Sequence, residues 1–399
     1  MSDLYLWDDA VARRFEPYAH TRPVCELRVG AWLLRERWER GAGTRAAGIL
    51  TSDHLADFEE PDAPPVHRDL IPAGAIVVNS RCALDATAAL NVNEGVVWLV
   101  DGRVAALRLA EPRTQAELPA VFEAARSPSA QSLRGRWIDA VWELVSSLPD
   151  TLTDDLLTLA MEQHESLSRP ESIPIVGEHP VLAAWNATIE PFVVIDATDG
   201  PVVLLEGSRV GAFSRLAGPL LLGHDSTIVA GSVRCSSIGE WSKVHGELSH
   251  TVVLGHANKS HDGFVGHSYM GRWVNLGSGT TTSNLKNTYG SVTIWTPDGI
   301  RNTGMQFLGT LFGDHVKTGI GLMLTTGCVL GAGANLFGVM PPKAVSPFAW
   351  GGAPPYSIYE VEKFLDVCTR VMARRNVTLN DNGRRHLTSL HVTRWDFGS

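Results

Sequence analysis

Apolar positions change their rhythm about halfway along the chain. In the first half they come as short runs and at helical intervals. Leu4-Tyr5-Leu6-Trp7, Ala75-Ile76-Val77-Val78 and Val96-Val97-Trp98-Leu99-Val100 are compact apolar runs, which predicts buried strands. The turn Asp101-Gly102 follows the last of them, and Val104 to Leu109 reads as a further strand. Leu27 to Trp38 has helical spacing, and so does the stretch from Gln115 to Gln163. Strands mixed with helices predict an α/β domain over residues 1–176. Residues 177–199 read as a linker into the next domain.

From Gly200 the period becomes six. Leu204, Val210, Leu216, Leu222 and Ile228 recur at that step. Phe264, Met270 and Leu276 resume it, and then Phe312, Leu324, Leu330 and Leu336, with Thr318 on the missing step. Glycine follows many of these positions, as in Val210-Gly211, Leu222-Gly223, Leu276-Gly277 and Leu330-Gly331. An α-helix cannot present one face at this period. A left-handed parallel β-helix can: each triangular coil has three faces, and each face turns one aliphatic inward. Small residues then serve the tight corners. This all-β domain is placed at 200–340. The register slips between Ile228 and Ile238 and around Val244 to Leu254, and Leu285 to Met305 is an insertion. Insertions on a solenoid tend to carry function. Over 341–399 the chain is expected to leave the solenoid, with a loop at Phe348 to Gly352 and a C-terminal helix over Ser357 to Arg375.

Composition narrows the partners. A chain of 399 residues with 44% hydrophobic and 19% charged residues is globular and long enough for two or three domains. Its net charge of −9 argues against nucleic acid, because binding there is driven by counterion release. The five cysteines are scattered without a C-x-x-C pair, which fits a reducing cytoplasm. Met1 to Asp9 lacks the basic start of a secretory leader. No apolar run approaches the roughly 20 residues that span a bilayer. A cytoplasmic protein without membrane or nucleic-acid partners is expected.

One polar cluster could carry chemistry. It comprises Asn258-Lys259-Ser260-His261-Asp262-Gly263, then Asn275, then Ser283-Asn284-Leu285-Lys286-Asn287. The six-residue period puts His261 and Asn275 on adjacent coils. Transfer of an acyl group from a thioester to an amine needs a base for the amine proton and donors for the tetrahedral oxyanion. Histidine suits the first role, and asparagine amides the second. Lys259 and Lys286 could hold a phosphate as point charges. The bland alternative is a histidine filling a turn beside a structural asparagine ladder. A zinc-lyase alternative rests on the crowding of His245, His250, His256, His261 and His267, with His256 and His261 as the pair of ligands.

These segments, with Trp273-Val274-Asn275-Leu276-Gly277, resemble the C-terminal domain of the sugar nucleotidyltransferase family related to the bifunctional enzyme that makes UDP-N-acetylglucosamine. Leu4 to Asp9, Thr21 to Gly30 and Arg35-Glu36-Arg37-Trp38 resemble the same family. The resemblance implies a nucleotidyltransferase-like first domain and a β-helix that acetylates an amino-sugar phosphate such as glucosamine-1-phosphate. It implies acetyl-CoA as donor, a nucleotide sugar as further ligand and a homotrimer. It places His261 as catalytic base and Asn275 and Asn284 as oxyanion- and substrate-side amides. Lys286 stands near a phosphate-binding lysine, and Arg234 is the candidate for a substrate arginine. Phe264 replaces a sugar-contacting tyrosine. Acetyl-CoA is expected along Gly277, Ser278, Gly319 and Ala332.

In the first domain the family's glycine-rich loop corresponds to Asp9 to Pro23, where the glycines are missing but Arg14, Pro17 and Arg22 keep a basic skeleton. Arg14, Arg22 and Arg28 are the candidate nucleotide-binding residues, with Arg13 and Arg35 nearby. The aspartate expected to hold Mg²⁺ falls near Asn79-Ser80-Arg81, where an arginine stands; Asp8, Asp9 and Asp85 are the possible replacements. The reading from a different class is a non-catalytic nucleotide-sugar sensor or scaffold built from two degenerate domains.

Overall fold

The apolar runs of the first half pair as a sheet. In this computed structural model, which describes residues 2–395 except 94, 164 and 172, β1 (Leu4–Trp7) lies between β2 (Ala46–Leu50) and β3 (Ile76–Asn79), all parallel. β4 (Val97–Val100) and β5 (Arg103–Arg108) form a hairpin on the β3 edge, and β6 (Gln131–Ser132) closes that side. The hairpin turns on Asp101 and Gly102, both at positive φ, a turn whose twist matches that of its strands.

Helical spacing over Leu27 to Trp38 misled at its start. The helix, α1 (Leu34–Ala42), begins only after a small hairpin that pairs Arg28–Val29 with Trp32–Leu33 across Gly30, at φ 63°. Residues 115–163 are likewise not one helical stretch. They contain α2 (Leu148–Glu162) and a shorter helix at Leu118–Ala124, separated by strands at Gln131–Ser132 and Gly135–Trp137.

The second half is a parallel β-solenoid of about ten turns. Val210, Leu216, Leu222, Ile228, Met270, Leu276, Phe312, Leu330 and Leu336 stack inside it, all essentially inaccessible. Burying such a side chain is worth about 1.5–3 kcal/mol, so this column alone is a large stabilising term. Thr318 does occupy the inward step, and its hydroxyl is satisfied by Thr280 at 2.7 Å. The solenoid is longer than the six-residue pattern indicates. The presumed linker 177–199 is already its first coil: Val181–Ala184 pairs in parallel with Val202–Leu204, and Val193 and Ile195 are fully buried. The far end also continues past 340. Ala344–Val345 pairs with Val329–Leu330, and Ala349–Gly351 continues the face of Asn335–Leu336. Pro180, Pro191, Pro341 and Pro347 interrupt the apolar pattern there, yet all lie between ladder strands, where no N–H is required. The insertion carries an antiparallel hairpin, Thr293–Thr296 with Gly299–Asn302.

One face of the solenoid is buried on both sides. Its outward residues Val203, Leu221, Val252, Tyr269, Leu311 and Val329 share a core with Leu148, Leu152 and Leu156 of α2 and with Tyr18, Val24 and Leu27. Tyr269 accepts the Arg28 N–H at 2.8 Å, while its own carbonyl accepts the Tyr18 hydroxyl at 2.9 Å. The tail forms two helices rather than one, α3 (Val361–Ala373) and α4 (Asp381–Val392). They pack together around Phe348, Phe364 and Leu390. From α4, His386 meets the Thr21 carbonyl and the Leu390 carbonyl meets His20, each at 3.0 Å, so the last helix is seated on the first domain.

Candidate functional site

The solenoid divides the expected site residues between two faces joined by the corner at 260–263. On one face Asn258 and Asn275 are paired in register, and the Asn258 amide donates to Asn275 Oδ1 at 2.9 Å. Ser260 donates to Asn258 Oδ1, also at 2.9 Å, which fixes that amide's orientation. The Asn275 Nδ2 therefore has no partner among the described residues and can serve an incoming oxygen. Lys259 is buried, and its ammonium donates to the carbonyls of His245 and His261 at 2.6 and 3.0 Å. Burial brings its pKa down to about 8. Lys259 is thus a clamp on the corner rather than an exposed phosphate ligand. The corner holds up the His261 imidazole, which is exposed and makes no hydrogen bond among the described residues.

The next face assembles a second group. Asn284 donates to His267 Nδ1 at 2.8 Å, which leaves the imidazole proton on Nε2. His267 stacks on His250 with centroids 4.4 Å apart, and Phe307 of the insertion stacks on its other side. Arg234 donates to Ser249 Oγ at 3.0 Å, and Ser249 lies 2.8 Å from His250 Nδ1. Burial, then the neighbouring His250 and Arg234, lowers the His267 pKa to about 4, so the ring is neutral. The sequence reading had Arg234 and Asn284, and it named His250 and His267 only as part of a crowded histidine stretch, not as a stacked pair. Its one signal is that His250 and His267 occupy the same corner on successive coils, both at positive φ. Lys286 joins neither group; it donates to the Ser291 carbonyl within the insertion.

The expected cofactor residues also separate. Gly277 and Gly319 stack at one corner, so closely that a Cβ on Gly277 would fall 2.6 Å from Gly319. Ser278 is exposed beside them. Ala332 is buried at a different corner, beneath Phe348.

The first domain has its own cleft of about 580 Å³. It opens where β1 and β3 end, the position at which parallel α/β sheets bind ligands, and Asp9, Asn79, Arg81, Arg103 and Trp137 line it. None of Arg14, Arg22 and Arg28 does. Arg14 pairs with Asp298 of the insertion hairpin. Arg22 holds Asp314 and Glu60, and Arg28 reaches Glu240. With Arg272, which pairs with both Glu60 and Glu240, they form a buried ionic seam between the domains. Burial works against the Glu60 carboxylate, but Arg22 and Arg272 outweigh it and hold its pKa at about 2.

A divalent cation does not fit the first domain's cleft. Where the resemblance calls for a ligand aspartate, the Arg81 guanidinium bridges Asp9, at 2.8 Å, and Asp139, and Arg103 also pairs with Asp139 at 2.9 Å, so two cations answer the two carboxylates. Asp8 is buried, mainly by that burial raised to about 6, and engaged by Thr51 and the Val24 N–H. Asp85 points to Arg134. Among the described residues no group of three His, Cys, Asp or Glu side chains is placed to hold a metal, and His256 Nδ1 is taken by Arg272. No helix among them is long and apolar enough to cross a membrane.

Comparison with known proteins finds several resemblances. Residues 4–164 match the family model described as sugar nucleotidyl transferase. A bifunctional sugar-1-phosphate nucleotidylyltransferase/acetyltransferase of Sulfurisphaera tokodaii is 30% identical over 91 residues, 23% of each chain. The match thus spans under a quarter of that relative's length. Among solved structures, a point mutant of AntD, an N-acyltransferase from Bacillus cereus, crystallised with dTDP-4-amino-4,6-dideoxyglucose and coenzyme A, covers 52% of this chain and 98% of its own at 14% identity, with a TM-score of 0.23. A second AntD mutant, with dTDP and coenzyme A, has the same coverage and identity and a TM-score of 0.21.

Proposed function

We infer, from a first domain of the sugar nucleotidyl transferase family joined to a β-solenoid, that the chain is an acetyl-CoA-dependent N-acetyltransferase acting on an amino-sugar phosphate. His261 takes the proton from the attacking amine. The amine nitrogen bonds to the thioester carbonyl carbon, and the free Asn275 amide holds the oxygen as it gains charge. Collapse of that intermediate expels the CoA thiolate, which leaves as the thiol once protonated. The observation that carries this reading is the His261 imidazole, exposed and without a hydrogen-bond partner among the described residues, on a corner clamped by Lys259 beside the ordered Asn258–Asn275 pair. The neutral His267 is a candidate donor toward substrate from the adjoining face. A left-handed winding and a homotrimer belong to the same proposal; Ile320 and Met323, large apolar side chains left in solvent, are suited to contact with further copies. The first domain then holds a nucleotide-linked sugar without the help of a metal.

The test is release of free CoA thiol from acetyl-CoA with glucosamine-1-phosphate. Release that needs the sugar and drops about 10²–10⁴-fold in His261→Ala, the usual range for loss of a general base, supports the reading. Full activity in a folded His261→Ala removes His261 from the chemistry.

A second reading, a non-catalytic nucleotide-sugar sensor, is favoured by Arg81 in the metal position. It requires binding of UDP-sugars with no thiol release from any amino-sugar phosphate.

A further inference from the structure

The face that carries Asn258 and Asn275 continues in register to Lys317 and then Asn335. The end of α3 lies across it. Between them is a cleft of about 260 Å³, lined by Asn258, Asn275 and Lys317 on the solenoid side and by Val371, Arg374 and Arg375 on the other.

Three cations converge on this cleft, and no carboxylate lines it among the described residues. The Lys317 ammonium is buried and has no hydrogen-bond partner among the described residues. Arg375 donates to the Trp241 carbonyl at 3.3 Å, and neither it nor Arg374 forms an ion pair among those residues. The nearest ionisable neighbour on α3, Cys368, is no counterion, because burial pushes its thiol pKa up to about 12. Elsewhere the buried cations are satisfied: Arg22, Arg28, Arg35, Arg37, Arg81 and Arg272 each meet a carboxylate, and Lys259 meets two backbone carbonyls. The end of α3 explains two of the three, since cations favour a helix C-terminus. It does not explain a buried ammonium with no partner, an arrangement that costs stability unless an anion arrives. Burial also holds the Lys317 ammonium below its ordinary pKa, as expected of a site waiting for a counter-charge.

We propose that this cleft binds a phosphate group, with Lys317 as its point-charge partner, Arg374 and Arg375 on the rim and the amides of Asn258 and Asn275 as the neighbouring polar wall. Its link to catalysis rests on the acetyltransferase reading. Both substrates of that reaction carry phosphate, and the geometry favours the acceptor. In a 2-amino-sugar 1-phosphate the amine and the phosphate sit on adjacent carbons. A phosphate held by Lys317 therefore brings the amine to Asn275, which belongs to both the cleft and the reacting face.

Calorimetric titration of the full chain with pyrophosphate, followed by competition with glucosamine-1-phosphate and with CoA, tests the site without calling on turnover. Pyrophosphate should bind, bind less well in added salt, and be displaced by the sugar phosphate. Lys317→Met should weaken pyrophosphate about 10- to 100-fold, the worth of a lost hydrogen bond to a charged group. The same variant should melt at a higher temperature than the native chain when no ligand is present. The double variant Arg374→Ala/Arg375→Ala, changed only at the rim, should also weaken binding and gives a second test if Lys317→Met does not fold. Displacement by CoA alone would keep the phosphate site but overturn its assignment to the acceptor. Absent pyrophosphate binding, or binding indifferent to all three cations, would overturn the site while leaving any sugar-dependent thiol release intact.

Discussion

The seam between the two domains and the cleft under α3 both gather cations, and they treat them in opposite ways. In the seam Arg22, Arg28 and Arg272 are answered by Glu60, Asp314 and Glu240, and the charges cancel in place. Under α3, Lys317, Arg374 and Arg375 have no carboxylate partner among the described residues. Matched charges fix one geometry and leave nothing for a ligand. Unmatched ones weaken the apo protein and leave it something to bind. The first domain's cleft resembles the seam only at Arg81, which is already claimed by Asp9 and Asp139 and is therefore no free cation for a ligand.

The contrast can be broken most forcefully at the seam. Arg22→Ala leaves Asp314 and Glu60 buried without their shared partner. It should cost about 3–5 kcal/mol, as for other buried pairs that lose one member. Denaturant unfolding would measure it, and a loss under about 1 kcal/mol would mean that the seam is solvated.

Acid should act next. Glu60 and Glu240 are held near pKa 2, below the ordinary 4.5, so their contribution is complete above about pH 4.5 and disappears as pH falls toward 2. His256 and His386 are lowered, chiefly by burial, to about 4 from 6.5. Between those values the unfolded chain binds the more protons, so stability falls as pH drops from about 6.5 toward 4. Stability plotted against pH should decline in two steps. A flat curve from pH 7 to 4 would show the imidazoles to be accessible.

The first domain offers a sharper contrast at smaller amplitude. Native protein should gain no thermal stability from millimolar Mg²⁺. Arg81→Asp, which sets a carboxylate beside Asp9 and Asp139, should gain some, since such a cluster suits a hard cation. A Mg²⁺-dependent shift already present in the native chain would contradict the arginine's role as internal counter-charge. Least of all should change in Arg14→Ala. Its pair with Asp298 is about half exposed on both sides, and such pairs are worth about 0–1 kcal/mol.

What could be read from the sequence follows from how local each signal is. The period of six is local, so the solenoid and even its polar step at Thr318 were legible. Its first and last coils were not, because prolines between the strands broke the pattern. Arg22 and Arg28 were legible as basic residues near a nucleotide-binding loop, but their partners Asp314 and Glu240 lie in the other half of the chain, and only folding brings them together. The same is true of Lys317 under α3. His250 and His267 needed the length of each coil, which varies here because of bulges and insertions.

The seating of α4 on the first domain has a consequence for how the protein is made. Thr21 and His20 leave the ribosome long before their partners His386 and Leu390, which follow them by 365 and 370 positions. A newly synthesised first domain therefore waits, with Tyr18 and Val24 only partly covered, until the coils that carry Leu221, Tyr269 and Val329 have been wound against them. A chain that stops before the coil carrying Val329 leaves part of that apolar surface open, which is a simple sign by which quality control can tell an unwound solenoid from a wound one.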